Sequence, residues 1–485
     1  MHTRIRLALA TAAAAALTGS LLTAAAGTAS AAGSGLQGDF NGDGYRDVAM
    51  SAPYATVSGK SNAGQIAVMY GSASGLKATS RTLISQDSTG VPGAAETNDF
   101  FGRATAAGDF NGDGYADLAV GAPGEDVGSD TDGGTVAIVW GSASGLSGGT
   151  TVADPNPTGQ DKFGQSLAAG DFDPDGKMDL AAGGTSAKVW IFRGGFTKSG
   201  GTGGSYYQPF NIISGSGAGA LHLVTADFNG GGGDDLIVNG YNASTQYDTN
   251  ILIYASPTGT KLEGGSEENL APGFITATGD LNGDGKDDLV IGETWDDGIS
   301  GATKGGKINV IYGNNYSGYS TVSISQGTSG VPSDPETGDA FGWEVSTGDI
   351  NGDGYADIAV GAPAENITTG TTSVTDAGAV TVLYGSASGV TTTGSQYFHQ
   401  NTTGVPGGNE ASDNFGGEVF LSDVNGDHKA DLTVGANGEN DWNGSVVGLL
   451  SDGGKIGTGG AVSFGPSNVG VSTSGRPEFG SIMAG

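Results

Sequence analysis

The 485-residue chain contains no cysteine. That excludes disulfide staples, thiol nucleophiles and cysteine-ligated zinc together. Basic residues are scarce: 19 Lys and Arg stand against 52 Asp and Glu, a formal net charge of −33. A chain this acidic repels a polyphosphate backbone, which argues against nucleic acid as a partner. The only histidines are His2, His222, His399 and His428, so histidine-rich metal sites and most triad chemistry are thinly supplied. No His-Glu-x-x-His pair occurs, which removes one common zinc-hydrolase signature. Beyond the N-terminal region no apolar run reaches the ~18 residues that would span a bilayer, and helical periodicity is missing as well. Glycine, by contrast, is abundant at 93 residues, without the three-residue period of collagen. With 36% hydrophobic residues the chain can still build a core.

The N-terminus reads as an address. Arg4 and Arg6 precede a Leu/Ala-rich run from Leu7 to about Ala26, and Ala29-Ser30-Ala31 gives a small-x-small cleavage pattern. Residues 1–31 are expected to be a secretory signal peptide. The remainder, 32–485, is then secreted and extracellular, in a compartment where disulfides are allowed but none can form.

Self-similarity dominates the rest. Seven copies of one nine-residue loop begin 53–74 residues apart. At positions 1, 3, 5, 7 and 9 the first copy has Asp39, Asn41, Asp43, Tyr45 and Asp47. The second has Asp109, Asn111, Asp113, Tyr115 and Asp117, and the third Asp171, Asp173, Asp175, Lys177 and Asp179. The fifth has Asp280, Asn282, Asp284, Lys286 and Asp288. The sixth has Asp349, Asn351, Asp353, Tyr355 and Asp357, and the seventh Asp423, Asn425, Asp427, Lys429 and Asp431. Side-chain oxygens at positions 1, 3, 5 and 9, with the position-7 carbonyl, form a hard-oxygen donor set that suits Ca²⁺ better than Zn²⁺ or Mg²⁺. Glycine at position 6 permits a turn with positive φ. Copy 4, residues 227–235, has Gly231 at position 5 and is expected to be empty, leaving about six Ca²⁺ sites. Copy 7 has His428 where glycine is expected, which predicts a strained, weaker site.

Other features recur at fixed offsets. Phe-Gly precedes the loop at Phe101-Gly102, Phe163-Gly164, Phe341-Gly342 and Phe415-Gly416. An alternating apolar run follows the loop and ends in Gly-Ala-Pro or a variant, as at 121–123 and 361–363. The Gly-Ser-Ala-Ser-Gly runs at 71–75, 141–145 and 385–389 read as turns. Short alternating strands and glycine-rich turns predict an all-β fold, and seven four-stranded units predict a seven-bladed β-propeller. The first unit lacks its own Phe-Gly, but Phe479-Gly480 stands near the C-terminus. Residues 479–485 are therefore expected to complete blade 1 and close the ring.

Phe-Gly, the D-x-[ND]-x-D-G-x-x-D loop and Gly-Ala-Pro together resemble FG-GAP repeats, the units of the integrin α-subunit propeller. The resemblance spans essentially all of 32–485, with units starting near 36, 100, 162, 218, 272, 340 and 414. It implies a calcium-bearing propeller with the metal loops on one face and ligand-binding loops on the other. Candidates on that second face are Glu125, Asp126, Trp295, Asp296, Asp297, Glu365, Glu439 and Trp442. Because the glutamates recur, a scaffold role competes with a ligand role, and each tryptophan could stack on a sugar or pack between blades. His222, on an expected inner strand, is expected to be packed. The resemblance thus implies a secreted, monomeric, non-enzymatic binding or adhesion module for an extracellular protein, glycan or cell envelope. A polysaccharide-active hydrolase or lyase on the same scaffold is the alternative.

Overall fold

The computed structural model describes residues 34, 36–157, 161–210, 218–242, 244–245, 247–255, 262–273, 275–296, 301–313 and 320–485. The expected signal peptide and Asp297 lie outside the described residues. Residues 32–485 form one compact unit. It contains seven antiparallel four-stranded sheets, the blades of a propeller.

Blade 2 shows the pattern. Ala104–Gly108 is the inner strand, followed outward by Asp117–Ala122, Thr135–Trp140 and Ser147–Val152. The second and third strands are buried along almost their whole length, which is why they read as continuous apolar runs, while the outer strand is only partly buried. The other inner strands are Ser166–Gly170, Ala220–Ala226, Ile275–Gly279, Val345–Gly348 and Phe415–Ser422. Blade 1 takes its inner strand, Met483–Ala484, from the chain terminus, where it pairs antiparallel with Val48–Ala52. Among the described residues two single-turn helices, Glu439–Trp442 and Pro466–Val469, interrupt the otherwise all-β structure. A two-stranded ribbon, Ile367–Thr369 with Thr372–Val374, extends one connection of blade 6.

The recurring dipeptides are inter-blade contacts. Phe101, Phe163, Phe341, Phe415 and Phe479 are all essentially fully buried. Their backbone N–H groups donate to Ala63, Gly133, Gly305, Ala377 and Asn443, each on the connection between the second and third strands of the preceding blade. The glycine of Gly-Ala-Pro has the complementary task. A Cβ at Gly121 would stand 2.0 Å from the Gly164 carbonyl oxygen of the next blade, and one at Gly361 would stand 2.0 Å from that of Gly416. Only glycine lets the two backbones approach this closely. Gly361→Ala is therefore expected to destabilise the fold by about 3 kcal/mol through overpacking. Denaturant unfolding measures it, and a midpoint within error of wild type would contradict this contact.

Candidate functional site

Six of the loops join an inner strand to the second strand of their blade, and loop 1 leads into the second strand of blade 1, Val48–Ala52, so all seven lie on one face. The turn is built from its own carboxylates. Asp39 accepts N–H bonds from Gly42 at 2.6 Å and Gly44 at 2.8 Å, Asn41 Oδ1 accepts Asp43 N–H, and Asp43 Oδ1 accepts Tyr45 N–H. The position-6 glycines take positive φ, for example +91° at Gly44 and +89° at Gly114. His428 is forced to φ +66° in the same role, the strained turn its side chain predicts.

The position-9 aspartates are deeply buried. Asp47, Asp117, Asp179, Asp235, Asp288, Asp357 and Asp431 are at most 2% exposed. One oxygen of each accepts a backbone N–H from the start of the turn after the third strand: Gly71, Gly141, Gly194, Ala255, Gly313, Gly385 and Ser451, at 2.6–2.9 Å. In five loops the other oxygen accepts the position-2 N–H, as from Phe40 to Asp47 at 2.9 Å. The same side chain thus pins the metal-candidate loop to the neighbouring turn on that face. Burial pushes these carboxyls up, Asp47 to about 8 and the other six to about 7, against an ordinary value of 3.8.

The sign of that shift sets a pH dependence. A carboxyl whose pKa is raised on folding holds its proton in the folded state after the unfolded chain has released it. Its stabilisation is complete below the unfolded pKa and disappears as pH rises through the folded value. In chelator the protein is expected to melt about 5 °C higher at pH 5.5 than at pH 8. Calorimetry at both pH values checks this, and a higher melting temperature at pH 8 would contradict it.

The loops are also tied to one another, which the sequence motif does not reveal. The position-8 N–H of one loop donates to the position-1 carbonyl of the preceding loop. The pairs are Ala116 to Asp39, Asp234 to Asp171, Asp287 to Asp227, Ala356 to Asp280, Ala430 to Asp349 and Arg46 to Asp423, at 2.7–3.3 Å. Whatever orders a loop therefore also acts on the junction between blades.

The donor sets fit a hard cation unequally. In loop 3 the carboxylate oxygens of Asp171, Asp173 and Asp179 lie within 4.8 Å of one another. Asp173 Oδ1 is buried without a hydrogen-bond partner, the kind of atom an ion would satisfy. Loop 4 has Gly231 where the other loops carry a position-5 aspartate. Its Asn229 amide donates to both oxygens of Asp235 at 3.0 Å, a closer version of the bonds from Asn111 to Asp117 at 3.2 and 3.5 Å, Asn282 to Asp288 at 3.5 Å and Asn425 to Asp431 at 3.3 Å.

The opposite face carries the other candidates. Gln86 of blade 1 donates to Glu125 of blade 2 at 2.6 Å, Gln326 to Glu365 at 2.5 Å, and Gln400 to Glu439 at 2.6 Å. The recurring glutamates therefore staple neighbouring blades, as their repetition suggests. Asp126 accepts Asp132 N–H, and Asp296 accepts N–H bonds from Gly305 and Gly338. Trp295 packs against Tyr247 with ring centroids 5.5 Å apart, whereas Trp442 is 38% exposed.

On that same face the inner strands begin around a cavity of about 850 Å³ on the propeller axis. Its polar lining includes Arg103, Gln165, His222, Trp343, Glu344 and Glu418, from blades 2, 3, 4, 6, 6 and 7. Apart from His222 these residues are not singled out by motif. Arg103, Gln165, Trp343, Glu344 and Glu418 fall on the two positions after Phe-Gly, which vary among the units except that Glu344 and Glu418 match. His222 corrects an expectation. It stands on the inner strand of blade 4, but its side chain is exposed to the cavity rather than packed between blades. Surrounding protein and then Arg103 hold its imidazole below the usual pKa, so it is neutral at pH 7.

The FG-GAP repeat pattern matches residues 31–69, 101–139, 163–206, 272–322, 341–383 and 415–449, together just over half of the chain. The chain belongs to the FG-GAP repeat family. Blade 4, with its degraded loop and no Phe-Gly, is the unit without a match. Phosphatidylinositol-glycan-specific phospholipase D of Rattus norvegicus is 31% identical over 223 residues, 45% of this chain and 25% of that protein. Integrin alpha-PS5 of Drosophila melanogaster is 35% identical over 163 residues, 32% of this chain and 15% of the integrin. Integrin alpha-6 of Gallus gallus is 33% identical over 163 residues, 32% and 13% of the respective chains. The matches thus span a quarter or less of the length of these relatives. An exotype rhamnogalacturonan lyase aligns over 88% of this chain and 70% of its own at TM-score 0.39 and 12% identity, too weak a likeness to bear on activity. No helix among the described residues is long and apolar enough to cross a membrane.

Proposed function

We propose that this FG-GAP propeller is a secreted binding module for an extracellular protein, glycan or cell-envelope component, held in shape by Ca²⁺ in six loops. The observation that carries the binding role is the contrast between its faces. One face repeats the same loop around the ring, as scaffold should. The other opens an axial cavity whose lining differs from blade to blade, as a site for a specific ligand should. The family resemblance to integrin α subunits supports the same reading. For calcium the support is the oxygen donor set and the unpartnered Asp173 oxygen. The ions would be held by positions 1, 3, 5 and 9 and the position-7 carbonyl of loops 1, 2, 3, 5, 6 and 7. Their charge would offset the mutual repulsion of those carboxylates.

The test is binding of labelled protein to cell envelopes and to common polysaccharides, in millimolar Ca²⁺ and again in chelator. Saturable, chelator-sensitive binding is expected. Intact, calcium-loaded protein that binds none of them would defeat the reading. A second reading, a polysaccharide-active hydrolase or lyase, is favoured by one observation, the pairing of Glu344 and Glu418 in the cavity, since two such carboxyls can act as acid and base. Product release from a polysaccharide, lost in Glu418→Gln, would select it.

A further inference from the structure

The glutamines that staple neighbouring blades leave one oxygen over. At three junctions the side-chain amide donates to a glutamate, and at all three the amide oxygen, Oε1 of Gln86, Gln326 or Gln400, is buried without a hydrogen-bond partner. Each of these glutamines is only 3% exposed. Turning an amide over would set its oxygen against the glutamate carboxylate, so the orphan belongs to the site and not to the orientation of the amide. An aspartate stands near each pair: Asp99 near Glu125, Asp339 near Glu365 and Asp413 near Glu439. Each accepts the N–H of a glutamate three residues earlier, Glu96, Glu336 or Glu410.

The junction of blades 5 and 6 is the most complete of the three. Asp339 is 0% exposed; one oxygen accepts the Glu336 N–H at 2.6 Å, and Oδ1 is buried without a partner. Oxygens of three residues converge beside it. A Cβ on Gly305 would stand 2.9 Å from Gln326 Oε1, 3.0 Å from the Glu336 carbonyl oxygen and 3.2 Å from Asp339 Oδ2. Glycine leaves that space open. Glu365, itself buried, brings a second carboxylate, and among the described residues neither it nor Asp339 has a salt-bridge partner. Burial, and after it the charges of Glu365, Glu336 and Asp296, push the Asp339 carboxyl up to about 7.

Buried acceptors need a donor or a cation. Here two orphan oxygens from different residues share one junction with a buried carboxylate pair that no basic side chain offsets. A cation satisfies the oxygens and the charge together. The available donors are carboxylate, amide and main-chain carbonyl oxygens, the hard set that Ca²⁺ takes, with water completing its six to eight positions. We propose that the junction of blades 5 and 6 holds a Ca²⁺ ion between Asp339, the Gln326 side-chain oxygen and the Glu336 carbonyl, with Glu365 offsetting its charge. This site lies on the face opposite the nine-residue loops, at the seam between two blades, and does not depend on calcium in those loops.

The first test is an anomalous difference map from wild-type crystals grown in Ca²⁺. A peak is expected at this seam, roughly 2.3–2.6 Å from Asp339 Oδ1. The second test compares wild type with Asp339→Asn. The new amide can donate to Gln326 Oε1, and the substitution removes a buried charge. In chelator the variant should therefore melt at or above the wild-type temperature. In about 1 mM Ca²⁺ the wild type should gain about 2 °C more than the variant. Native mass spectrometry in Ca²⁺ should count one ion fewer in the variant, a difference that reports this site whatever the loops hold. A seam holding water alone, equal ion counts, or equal calcium shifts would overturn the proposal. Calcium in the loops with none at the seam would overturn it and leave the reading of the loops in place. Calcium at the seam with empty loops would support it and remove the loop sites instead.

Discussion

A chain ending at Glu478 is expected to melt on the order of 10 °C or more below the full protein, or not to accumulate folded at all. The seven missing residues hold the ring shut. Met483 and Ala484 pair with Met50 and Ala49, Gly480 N–H donates to the Ser51 carbonyl, and Ser51 N–H donates to that of Ile482. Without them the strand Val48–Ala52 keeps an open edge, and blade 1 loses the bond from Phe479 N–H to the Asn443 carbonyl of blade 7. Phe479 is fully buried in the core between blades 1 and 7, beside Val446, Phe464 and Val471. Phe479→Ala alone should cost about 3–5 kcal/mol. Melting curves of both variants decide the matter. An unchanged transition for the truncated chain would mean that the ring is stable without closure.

Adding millimolar Ca²⁺ to chelated protein is expected to raise the melting temperature by a similar amount, on the order of 10 °C at neutral pH. If each of six loops binds at about 0.1 mM, about 1 mM Ca²⁺ adds about 1.4 kcal/mol per loop, or about 8 kcal/mol in all. That is comparable to the whole stability of an ordinary domain. The inter-loop hydrogen bonds give a reason for a global rather than local effect. The position-1 aspartate that would ligate the ion also carries the carbonyl that holds the next blade. Mg²⁺ at the same concentration should shift the transition much less, because it keeps its water and demands octahedral geometry. A Ca²⁺ shift indistinguishable from that of Mg²⁺, or none, would remove calcium from the account of this protein.

The two effects should couple. Truncation opens the junction of blades 7 and 1, which is also the junction where Arg46 N–H meets the Asp423 carbonyl. Calcium should therefore rescue the truncated chain less than it stabilises the intact one.

The sequence by itself determined the fold and the loops. Period-two alternation and turn chemistry are local, so seven units could be counted and their strands placed. The loop motif is local too: nine consecutive residues carry its oxygens and its glycine, and loop 4 could be set apart from a single position, Gly231. The late Phe-Gly at 479–480 showed how the ring closes, because a repeat missing at one end and surplus at the other has few other uses. Tertiary structure decided the rest. It joined position 8 of six loops to position 1 of the one before, and it set Gln86, Gln326 and Gln400 against the glutamates of the next blade. It also brought Arg103, His222, Glu344 and Glu418 around one cavity, although they come from four different blades. His222 was misplaced for the same reason. An inner strand alternates between packing and the axis, and which side chains meet water depends on how far the closed ring holds seven strand starts apart, a distance that no local pattern encodes.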